Sequence, residues 1–527
     1  MNRKKIAIID LAANNSRRSL YGRVMYPNFA SIMPQAIGVW CKEEGHDVTF
    51  MCYTGCEDLI EDLPEDLDLA IIGTFTLGAQ LAYALSNHLR SQGVITVLGG
   101  PHARCYPEDA QQYFDYVLGF TDKAVIREVL SDCSKYRPIG TYISAKQQPM
   151  VLPSVRERWS FIEPILQKAW LFKSVSMLGS LGCPYTCAFC IDATIPYQPL
   201  DFNVLKDDLR FLLDQLKHPI VAWHDPNFGV RFDDYMGAIE EAVPPNSIRF
   251  IAESSLSLLS EPHLKRLKKN GFKAILPGIE SWFDLGNKSK TGSMIGMEKV
   301  RKISHEVNTI LRYIPYVQAN FVFGLDTDQG AEPFELTKRF VDMTPGVYPA
   351  YNIVTAYGRA ASLNLDYQRA NRVIPIPFHF MNNLCTNVKP NNYAWTEFYT
   401  YMIDLNNHAF SWKSIVNRCR VNKEPIPRWT NVIRGLEARV GKMKMNREML
   451  QQFESDTKFR AYFEQETTEL PQFYINQIQQ DLGALWKWLP TGALSYDPNA
   501  YLKSEESKVL TVKAKDLRHT EVVGSRH

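Results

Sequence analysis

Short apolar segments alternate with amphipathic segments through the first 135 residues of the chain. The apolar segments have the length of single strands, and they lie at 5–11, 47–52, 69–73, 94–100 and 115–119. The amphipathic segments repeat apolar residues at helical spacing, and they lie at 33–45, 77–92, 107–112 and 122–132. Because strands that alternate with helices pair in parallel through right-handed crossovers, this pattern predicts a doubly wound, flavodoxin-like α/β sheet.

The same alternation returns after residue 170. Six further strands are predicted at 173–178, 219–224, 247–253, 273–280, 317–324 and 350–357. Helices are predicted between them at 201–217, 231–242, 261–270, 297–306 and 332–343. Six strand–helix units in succession predict a partial (β/α)6 barrel, in which ligands bind at the C-terminal ends of the strands.

Two regions follow neither pattern. Four prolines interrupt the segment 136–170, which is therefore predicted to be an interdomain linker. Strand patterns fade after residue 385, and the aromatic- and amide-rich remainder is predicted to be mainly helical. The predicted units are a doubly wound domain at 1–135, the linker at 136–170, the barrel at 171–385 and a helical domain at 386–527.

Composition and charge narrow the range of partners. The 527 residues are 45% hydrophobic and 22% charged, which is typical of a globular protein with a large core. The 59 Lys and Arg nearly balance the 57 Asp and Glu, so the net charge of +2 favours neither nucleic acid nor a membrane as a partner. No apolar run reaches the thickness of a bilayer and no signal peptide is apparent, so a cytoplasmic location is expected.

Three of the ten cysteines lie within eight residues, in the sequence CPYTCAFC. Cys183, Cys187 and Cys190 follow the first predicted strand of the barrel directly. Three thiolates on one short loop can hold three irons of a four-iron cluster and leave the fourth iron open to a ligand. Zinc is the competing metal, but structural zinc sites usually have four ligands, and no second CxxC or HxxxH motif lies nearby.

The motif CPYTCAFC resembles the defining motif of the radical S-adenosylmethionine superfamily, including the aromatic Phe189 before the last cysteine. This resemblance implies that the open iron chelates the amino and carboxylate groups of S-adenosylmethionine. One electron from the reduced cluster then cleaves a carbon–sulfur bond, usually releasing a 5′-deoxyadenosyl radical. The resemblance also implies a small-molecule substrate and an external electron donor such as flavodoxin or ferredoxin.

Polar residues at successive strand ends are the candidate contacts of S-adenosylmethionine. Glu253 ends the third predicted strand of the barrel. Glu280 and Ser281 belong to GIES at 278–281, which resembles the turn that contacts the methionine or ribose part of the cofactor in this superfamily. Asn320 begins NFVFGLD, which resembles the fifth strand of relatives. Together with Phe189 these four residues are predicted to bind S-adenosylmethionine, and Asp225, after the second strand, is a further possible site residue.

The N-terminal domain resembles the cobalamin-binding domain of cobalamin-dependent radical enzymes, on EEGHDV (43–48), IIGTFT (71–76) and LGGPHA (98–103). The residues that would contact the corrin or its nucleotide tail are Thr74, Thr76, Gly99, Gly100 and His102. The Asp-x-His-x-x-Gly signature of other cobalamin domains is absent, and no histidine precedes His46. GFTD (119–122) also replaces the usual Gly-Glu-Gly-Glu. A bound corrin would thus be held without a histidine from the first loop, and the alternative is a domain that keeps the fold without the ligand.

These features predict a cobalamin-dependent radical S-adenosylmethionine enzyme that methylates an unactivated position of a small biosynthetic substrate. One alternative is a radical rearrangement, a cyclisation or an aminocarboxypropyl transfer without methylation. An alternative of another class is a non-catalytic sensor or scaffold that uses the iron–sulfur cluster structurally. A tRNA methylthiotransferase is disfavoured, because the chain has neither an N-terminal cysteine triad nor a strongly basic end domain.

Overall fold

Two six-stranded parallel sheets follow each other along the chain, and a set of helices completes its C-terminal part. The computed structural model describes residues 3–15, 20–133, 140–170, 172–283, 289–382 and 384–503. Within these residues, none of the helices combines the length and the apolar character that crossing a bilayer requires.

The first sheet has the strand order β2-β1-β3-β4-β5-β6, and all neighbouring strands are parallel. Its strands are β1 (Lys5–Leu11), β2 (Asp47–Tyr53), β3 (Leu69–Thr74), β4 (Ile95–Gly99), β5 (Tyr116–Leu118) and β6 (Thr141–Ile143). The helices of this unit are α1 (Leu20–Met25), α2 (Ile32–Glu43), α3 (Ala79–Ser91), α4 (Pro101–Cys105), α5 (Pro107–Ala110) and α6 (Lys123–Asp132). All five strands predicted in residues 1–135 are present.

Successive side chains of β1 enter two different cores, which explains why this strand is apolar throughout. Ile6 and Ile8 pack in the core that contains Trp40 of α2, whereas Ala7 and Ile9 pack in the core on the opposite face of the sheet. Burial on both faces is the property of a doubly wound parallel sheet. Because β1 lies between β2 and β3, the strand order reverses there, and a crevice opens at the carboxyl ends of β1 and β3.

The prediction of an irregular linker over 136–170 needs correction, because the structure forms two elements in this segment. Strand β6 adds to the edge of the first sheet, and helix α7 (Val155–Lys168) follows it. A capping box begins α7, in which the Ser154 Oγ accepts the Glu157 N–H and the Glu157 carboxylate accepts the Ser154 N–H. Pro164 lies inside this helix, so prolines were a misleading sign of irregular structure here.

The second sheet has the order β14-β13-β12-β11-β10-β7, again with parallel neighbours. The strands of this unit, with a small ribbon of β8 and β9, are β7 (Ser174–Met177), β8 (Ser180–Leu181), β9 (Gln198–Pro199), β10 (Ile220–Trp223), β11 (Arg249–Ser255), β12 (Phe272–Glu280), β13 (Tyr316–Phe323) and β14 (Tyr348–Ile353). Its helices are α8 (Phe202–Gln215), α9 (Phe232–Ala242), α10 (Glu261–Lys269), α11 (Gly296–Tyr313), α12 (Glu332–Met343) and α13 (Ser362–Arg369). The sheet ends at β7 and β14, so the predicted partial (β/α)6 barrel is confirmed.

The C-terminal part is helical, as predicted for 386–527, although 504–527 lie outside the described residues. Its helices are α14 (Trp395–Ala409), α15 (Trp412–Val421), α16 (Pro425–Glu437), α17 (Met443–Ser455), α18 (Thr457–Phe463) and α19 (Gln472–Leu482). A π-helical turn at Ala438–Lys442 joins α16 to α17 without a break. Helix α14 packs against α12, so this helical region is built onto the barrel.

Candidate active site

The cysteine motif lies on a loop that a small antiparallel ribbon closes at its base. Strands β8 and β9 pair Ser180 with Pro199 and Leu181 with Gln198. The ribbon follows β7, so the loop begins where the first barrel strand ends. Gly182 turns the chain into the motif with a φ of +65°, and a Cβ there would collide with the carbonyl oxygens of Ile195 and Pro196. A side chain at this position would therefore force the base of the loop to shift.

Cys183, Cys187 and Cys190 are all partly exposed, and they lie within eight residues of the sequence. The Cys190 N–H donates to the Cys187 carbonyl oxygen over 2.9 Å, which forms a turn between the last two cysteines. The Asp192 N–H points at the Cys190 Sγ with a distance of 3.4 Å. Backbone N–H groups aimed at sulfur stabilise thiolates that bind iron and tune the potential of the cluster.

Phe189 anchors the motif to the far side of the barrel. It packs in a cluster with Val322 at the end of β13 and Val354 just after β14. The neighbouring Ala188 carbonyl oxygen accepts the Leu363 N–H from α13 over 3.1 Å. The predicted contact of Phe189 with S-adenosylmethionine stays a prediction, and the structure adds a second role, because this ring holds the loop over the strand ends.

The donor set fits an iron–sulfur cluster better than a single metal ion. Within the described part of the chain, no three His, Cys, Asp or Glu side chains converge closely enough to surround one ion. A four-iron cluster does not need such convergence, because each of its thiolates binds a different iron. The zinc alternative needs four ligands at one point, whereas the motif offers three thiols, so the cluster stays the prediction for this loop.

In β10 and β11 the inward-facing side chains are more accessible than the outward-facing ones. In β10 and β11, Ala222 and Ile251 face inward and are partly exposed, whereas Val221 and Phe250 point toward the helices and are buried. A barrel filled by its own side chains would bury both faces. We call the space on this inward side of the sheet the barrel chamber.

Several predicted residues stand at the upper end of this chamber. Glu253 is exposed near the end of β11, and Asn320 of β13 is partly exposed and pairs in register with Gly278 of β12. Glu280 and Ser281 come next along β12 and are buried. Fully buried Lys299 fixes this turn, because its Nζ donates to the Ser281 carbonyl oxygen over 2.7 Å. The predicted S-adenosylmethionine contacts on β12 and β13 therefore lie on neighbouring strands.

Asp225 has a structural role instead of a place in the chamber. It is 1% exposed, and its carboxylate accepts the Gly179 N–H over 3.1 Å and the Ser180 hydroxyl over 2.6 Å. The Tyr235 hydroxyl also donates to it. These bonds tie the β10 loop to the base of the cysteine ribbon, so this residue supports the site without lining it.

Glu280 offers a clean test of the predicted S-adenosylmethionine contacts. Its φ of +66° is unusual for a residue with a side chain, so Glu280→Gly removes the carboxylate and also relieves the backbone. We expect this variant to keep its iron but to bind S-adenosylmethionine at least about tenfold more weakly, because a charge-assisted hydrogen bond is lost. Anaerobic equilibrium dialysis with Glu298→Gln, an exposed glutamate of α11, as control would measure the effect. Equal affinity of Glu280→Gly and wild type would reassign Glu280 to structure.

A second cavity, of about 480 Å³, lies between the first sheet and the barrel. We call it the interdomain cavity. Its wall on the sheet side comes from the carboxyl ends of β1, β3 and β4, where the strand order reverses. Its barrel side includes Leu178 and His224, which follow β7 and β10. An apolar crevice of this kind, with few polar groups, is where a doubly wound domain binds its ligand.

Three of the five predicted cobalamin residues line this cavity, namely Thr74, Gly99 and Gly100. A Cβ built on Gly99 would meet no atom within 4 Å, so this position leaves space in the cavity. Gly100 has a different task, because a Cβ there would lie 2.7 Å from the Thr74 carbonyl oxygen and its φ is +93°. Gly99 thus keeps room for a ligand, whereas Gly100 lets β3 and β4 approach each other.

Thr76 and His102 are not among the residues that line the interdomain cavity. His102 is fully buried, and its Nε2 bonds to the Tyr83 hydroxyl over 2.6 Å. The Tyr83 hydroxyl also contacts the Asp109 carboxylate over 2.5 Å. Burial lowers the pKa of His102 to about 3, so it is neutral. The structure therefore joins His102 to the packing of α3 and α5 and does not bring it to the cavity.

Two polar residues of the interdomain cavity escaped the sequence analysis. Asp10 ends β1, accepts the Ser31 N–H over 2.6 Å, and has a pKa raised by burial to about 6. His224 lines the cavity and is otherwise surrounded by protein. This desolvation lowers its pKa to about 4. The alternation of inward and outward side chains along β10 could have found His224, since it continues the inward-facing series of Ile220 and Ala222.

Comparison with known proteins supports this description. No protein-family model matches the chain. Bacteriochlorophyllide d C-12(1)-methyltransferase of Chlorobaculum tepidum is 23% identical over 321 residues, which cover 59% of this chain and 68% of that protein. Bacteriochlorophyllide d C-8(2)-methyltransferase of the same organism is 24% identical over 374 residues, which cover 68% of this chain and 81% of that protein.

Among solved structures, the cobalamin-dependent S-adenosylmethionine radical enzyme OxsB with aqua-cobalamin bound is similar with a TM-score of 0.54 at 12% identity. The alignment covers 93% of this chain and 80% of that one. The chain therefore shares the fold of this solved structure over most of its length. The predicted α/β fold class and the predicted family resemblance are both confirmed at the level of the fold.

Proposed function

We propose that this protein is a cobalamin-dependent radical S-adenosylmethionine enzyme that methylates an unactivated position of a small substrate. The observation that carries the proposal is the interdomain cavity, which is lined by the carboxyl ends of β1, β3 and β4 on one side and by His224, just after β10 of the barrel, on the other. A methyl carrier in this cavity and a radical source on the cysteine loop would then both lie at the carboxyl ends of the barrel strands and could share one substrate. Both curated relatives are methyltransferases, which supports the same reaction class.

The residues of the chain divide this task between them. Cys183, Cys187 and Cys190 would hold the cluster, while Glu280 and Asn320 would orient S-adenosylmethionine at the top of the barrel chamber. Bound there, the cofactors supply a radical that removes a substrate hydrogen atom and a methyl group that replaces it. The surrounding protein excludes water from the chamber and so protects the reactive species. Reduction of the cluster is assigned to an external donor of the flavodoxin or ferredoxin type.

The interdomain cavity supports cobalamin as the methyl carrier. Gly99 leaves space at the carboxyl end of β4, and the apolar side chains of Ile8, Ile71 and Pro34 suit the edge of a macrocycle. No histidine from the first loop is available in the sequence, so the corrin would be held without that ligand. The residues that line this cavity include one histidine, His224. It is neutral and lies on the barrel side of the cavity.

The test uses anaerobically reconstituted protein with cobalamin, S-adenosylmethionine and a strong reductant. We expect a four-iron cluster and the formation of both 5′-deoxyadenosine and S-adenosylhomocysteine, because a radical methylation consumes S-adenosylmethionine in two ways. Mass spectrometry of the small molecules measures both products. Deoxyadenosine without S-adenosylhomocysteine would favour the rearrangement or cyclisation alternative, and neither product would favour a non-catalytic scaffold.

A further inference from the structure

Two exposed tryptophans mark an apolar surface on the C-terminal helices. Trp412 begins α15 and is 60% exposed, and Trp429 of α16 is 67% exposed. Fifteen large apolar side chains are exposed in the described part of the chain, and seven of them lie on or next to α15 and α16, namely Trp412, Val416, Val421, Ile426, Trp429, Leu436 and Val440. We call these seven residues the tryptophan patch. Single apolar residues are ordinary at a protein surface, but such a concentration is typical of an interaction site.

The two helices pack against each other, and their exposed sides adjoin. A Cβ built on Gly435 of α16 would lie 3.1 Å from the Ile415 side chain of α15, so these two positions belong to the packed faces. Trp412 and Val416 are about one turn apart on the exposed face of α15. The Arg439 guanidinium, just after α16, lies 5.3 Å from the centre of the Trp412 ring. The exposed sides of the two helices therefore meet near Trp412.

Basic residues are interspersed with the tryptophan patch. Segment 412–447 contains ten of the 59 Lys and Arg but two of the 57 Asp and Glu. The remainder of the chain therefore has a net negative charge, although the whole chain carries +2. Lys413, Arg420 and Lys423 are exposed, and none of them forms an ion pair with another described residue. The patch thus combines apolar and positively charged surface, which favours an anionic partner.

A second copy of this chain is a poor partner for the tryptophan patch. A symmetric dimer brings the same surface of both copies together, so Lys413, Arg420 and Lys423 would face their own equivalents. Like charges at an interface repel each other and lose their hydration. The C-terminal residues 504–527 are no better suited, because their five Lys and Arg exceed their four Asp and Glu.

An acidic electron donor is disfavoured by the position of the patch. The Asn422 side chain, between α15 and α16, donates to the Gly346 carbonyl oxygen over 3.2 Å, just ahead of β14. Lys273 at the start of β12 forms an ion pair with Glu424 over 3.2 Å. These contacts place the junction of α15 and α16 at the beginnings of the barrel strands, whereas the cysteine loop follows the carboxyl end of β7. The ends of the nine-residue β12 are about 25 Å apart, and a donor must approach the cluster closely because electron transfer slows steeply with distance.

We infer that the tryptophan patch binds the surface of an anionic lipid bilayer. Tryptophan and aliphatic side chains enter the interfacial region of a bilayer, while Lys and Arg beside them attract anionic headgroups. A nucleic acid would use the cations and the aromatic rings but would leave the five aliphatic side chains of the patch in water. This inference goes beyond the proposed function and does not depend on it, because the patch contains none of the predicted cofactor contacts.

Sedimentation with lipid vesicles tests the inference on the anaerobically reconstituted full-length protein. Vesicles of phosphatidylcholine and phosphatidylglycerol are compared with vesicles of phosphatidylcholine alone. We expect wild type to bind the anionic vesicles at least about tenfold more strongly, and to lose this preference as added salt screens the charges.

Trp412→Ser combined with Trp429→Ser should weaken binding to the anionic vesicles at least about tenfold, because two large apolar side chains no longer enter the bilayer. The matched control is Trp170→Ser, since Trp170 is 65% exposed but lies before the barrel. All three tryptophans are exposed, so these substitutions should leave the fold intact.

A second variant removes charge from the patch, with Lys413, Arg420 and Lys423 each replaced by glutamine. At low salt it should also weaken binding at least about tenfold, because each cation close to the bilayer contributes to the attraction. Its control removes three positive charges from the surface of the N-terminal domain, by Arg3→Gln, Lys123→Gln and Arg127→Gln. This control should bind the vesicles like wild type.

The inference is overturned if wild type binds neither kind of vesicle, or if the controls lose as much binding as the patch variants. Without vesicle binding, a dimer or an oligonucleotide complex that the tryptophan variant loses would assign the patch to a second copy or to nucleic acid. Vesicle binding does not require S-adenosylmethionine cleavage, so failure here leaves the proposed function standing.

Discussion

Replacement of Cys183, Cys187 and Cys190 together by alanine is expected to reduce the iron content from about four atoms per chain to nearly none, and to abolish S-adenosylmethionine cleavage. The physical reason is that each thiolate binds one iron, and the described residues around the loop offer no other converging donors. Iron and sulfide analysis after anaerobic reconstitution, together with the visible spectrum, measures the first effect. Chromatography of 5′-deoxyadenosine measures the second.

Cys56→Ala is the matched control for this triple variant. Cys56 is exposed and lies in the N-terminal domain, so its removal should leave both iron content and cleavage unchanged. The ribbon of β8 and β9 and the Phe189 contacts do not involve the thiols, so the triple variant should remain folded. Near-stoichiometric iron in a well-folded triple variant would contradict the assignment of the cluster to this loop.

The second large effect is expected from side chains introduced at Gly99. Because a Cβ at this position points into the interdomain cavity, Gly99→Ala should still bind cobalamin, whereas Gly99→Leu and Gly99→Phe should lose most of it. We expect at least about a hundredfold weaker binding for the larger side chains, since they occupy space that the ligand needs. The corrin released from protein reconstituted with cobalamin is measured by its visible spectrum and mass.

Iron content serves as the internal control for the Gly99 series, because the cysteine loop belongs to the barrel and should keep its cluster in every variant. Gly100 is the less informative position, since a side chain there would strike the Thr74 backbone and disturb the sheet itself. Corrin binding that is independent of side-chain size at Gly99 would move the cobalamin site elsewhere. Methylation would then lose its main structural support, while the radical chemistry would not depend on this result.

Much of the fold was predictable because its strands are local and regular. All eleven strands predicted for the two sheets are present, since a strand buried on both faces must be apolar along its whole length. The cysteine motif was equally readable, because its three predicted ligands lie within eight residues of the sequence. The segment 136–170 was misjudged, since its prolines suggested a break whereas the capping box at Ser154 starts a helix.

Other features depend on contacts between distant parts of the chain, and only the tertiary structure decided them. The sequence predicted that His102, close to Gly100, contacts cobalamin. In the structure its ring bonds to the Tyr83 hydroxyl and does not line the interdomain cavity. Asp225 and His224 are adjacent in sequence just after β10, but Asp225 enters a structural hydrogen-bond network whereas His224 lines the cavity.

The chain by itself therefore determined the class of chemistry, because an iron–sulfur motif and the strand periodicity are local properties. It did not determine which side chains face the two spaces, because that depends on where the sheet, the barrel and the C-terminal helices meet. Arg434 shows this most clearly, since it lies more than a hundred residues beyond Tyr316, to whose hydroxyl it donates. This contact exists only after α16 has packed against the barrel.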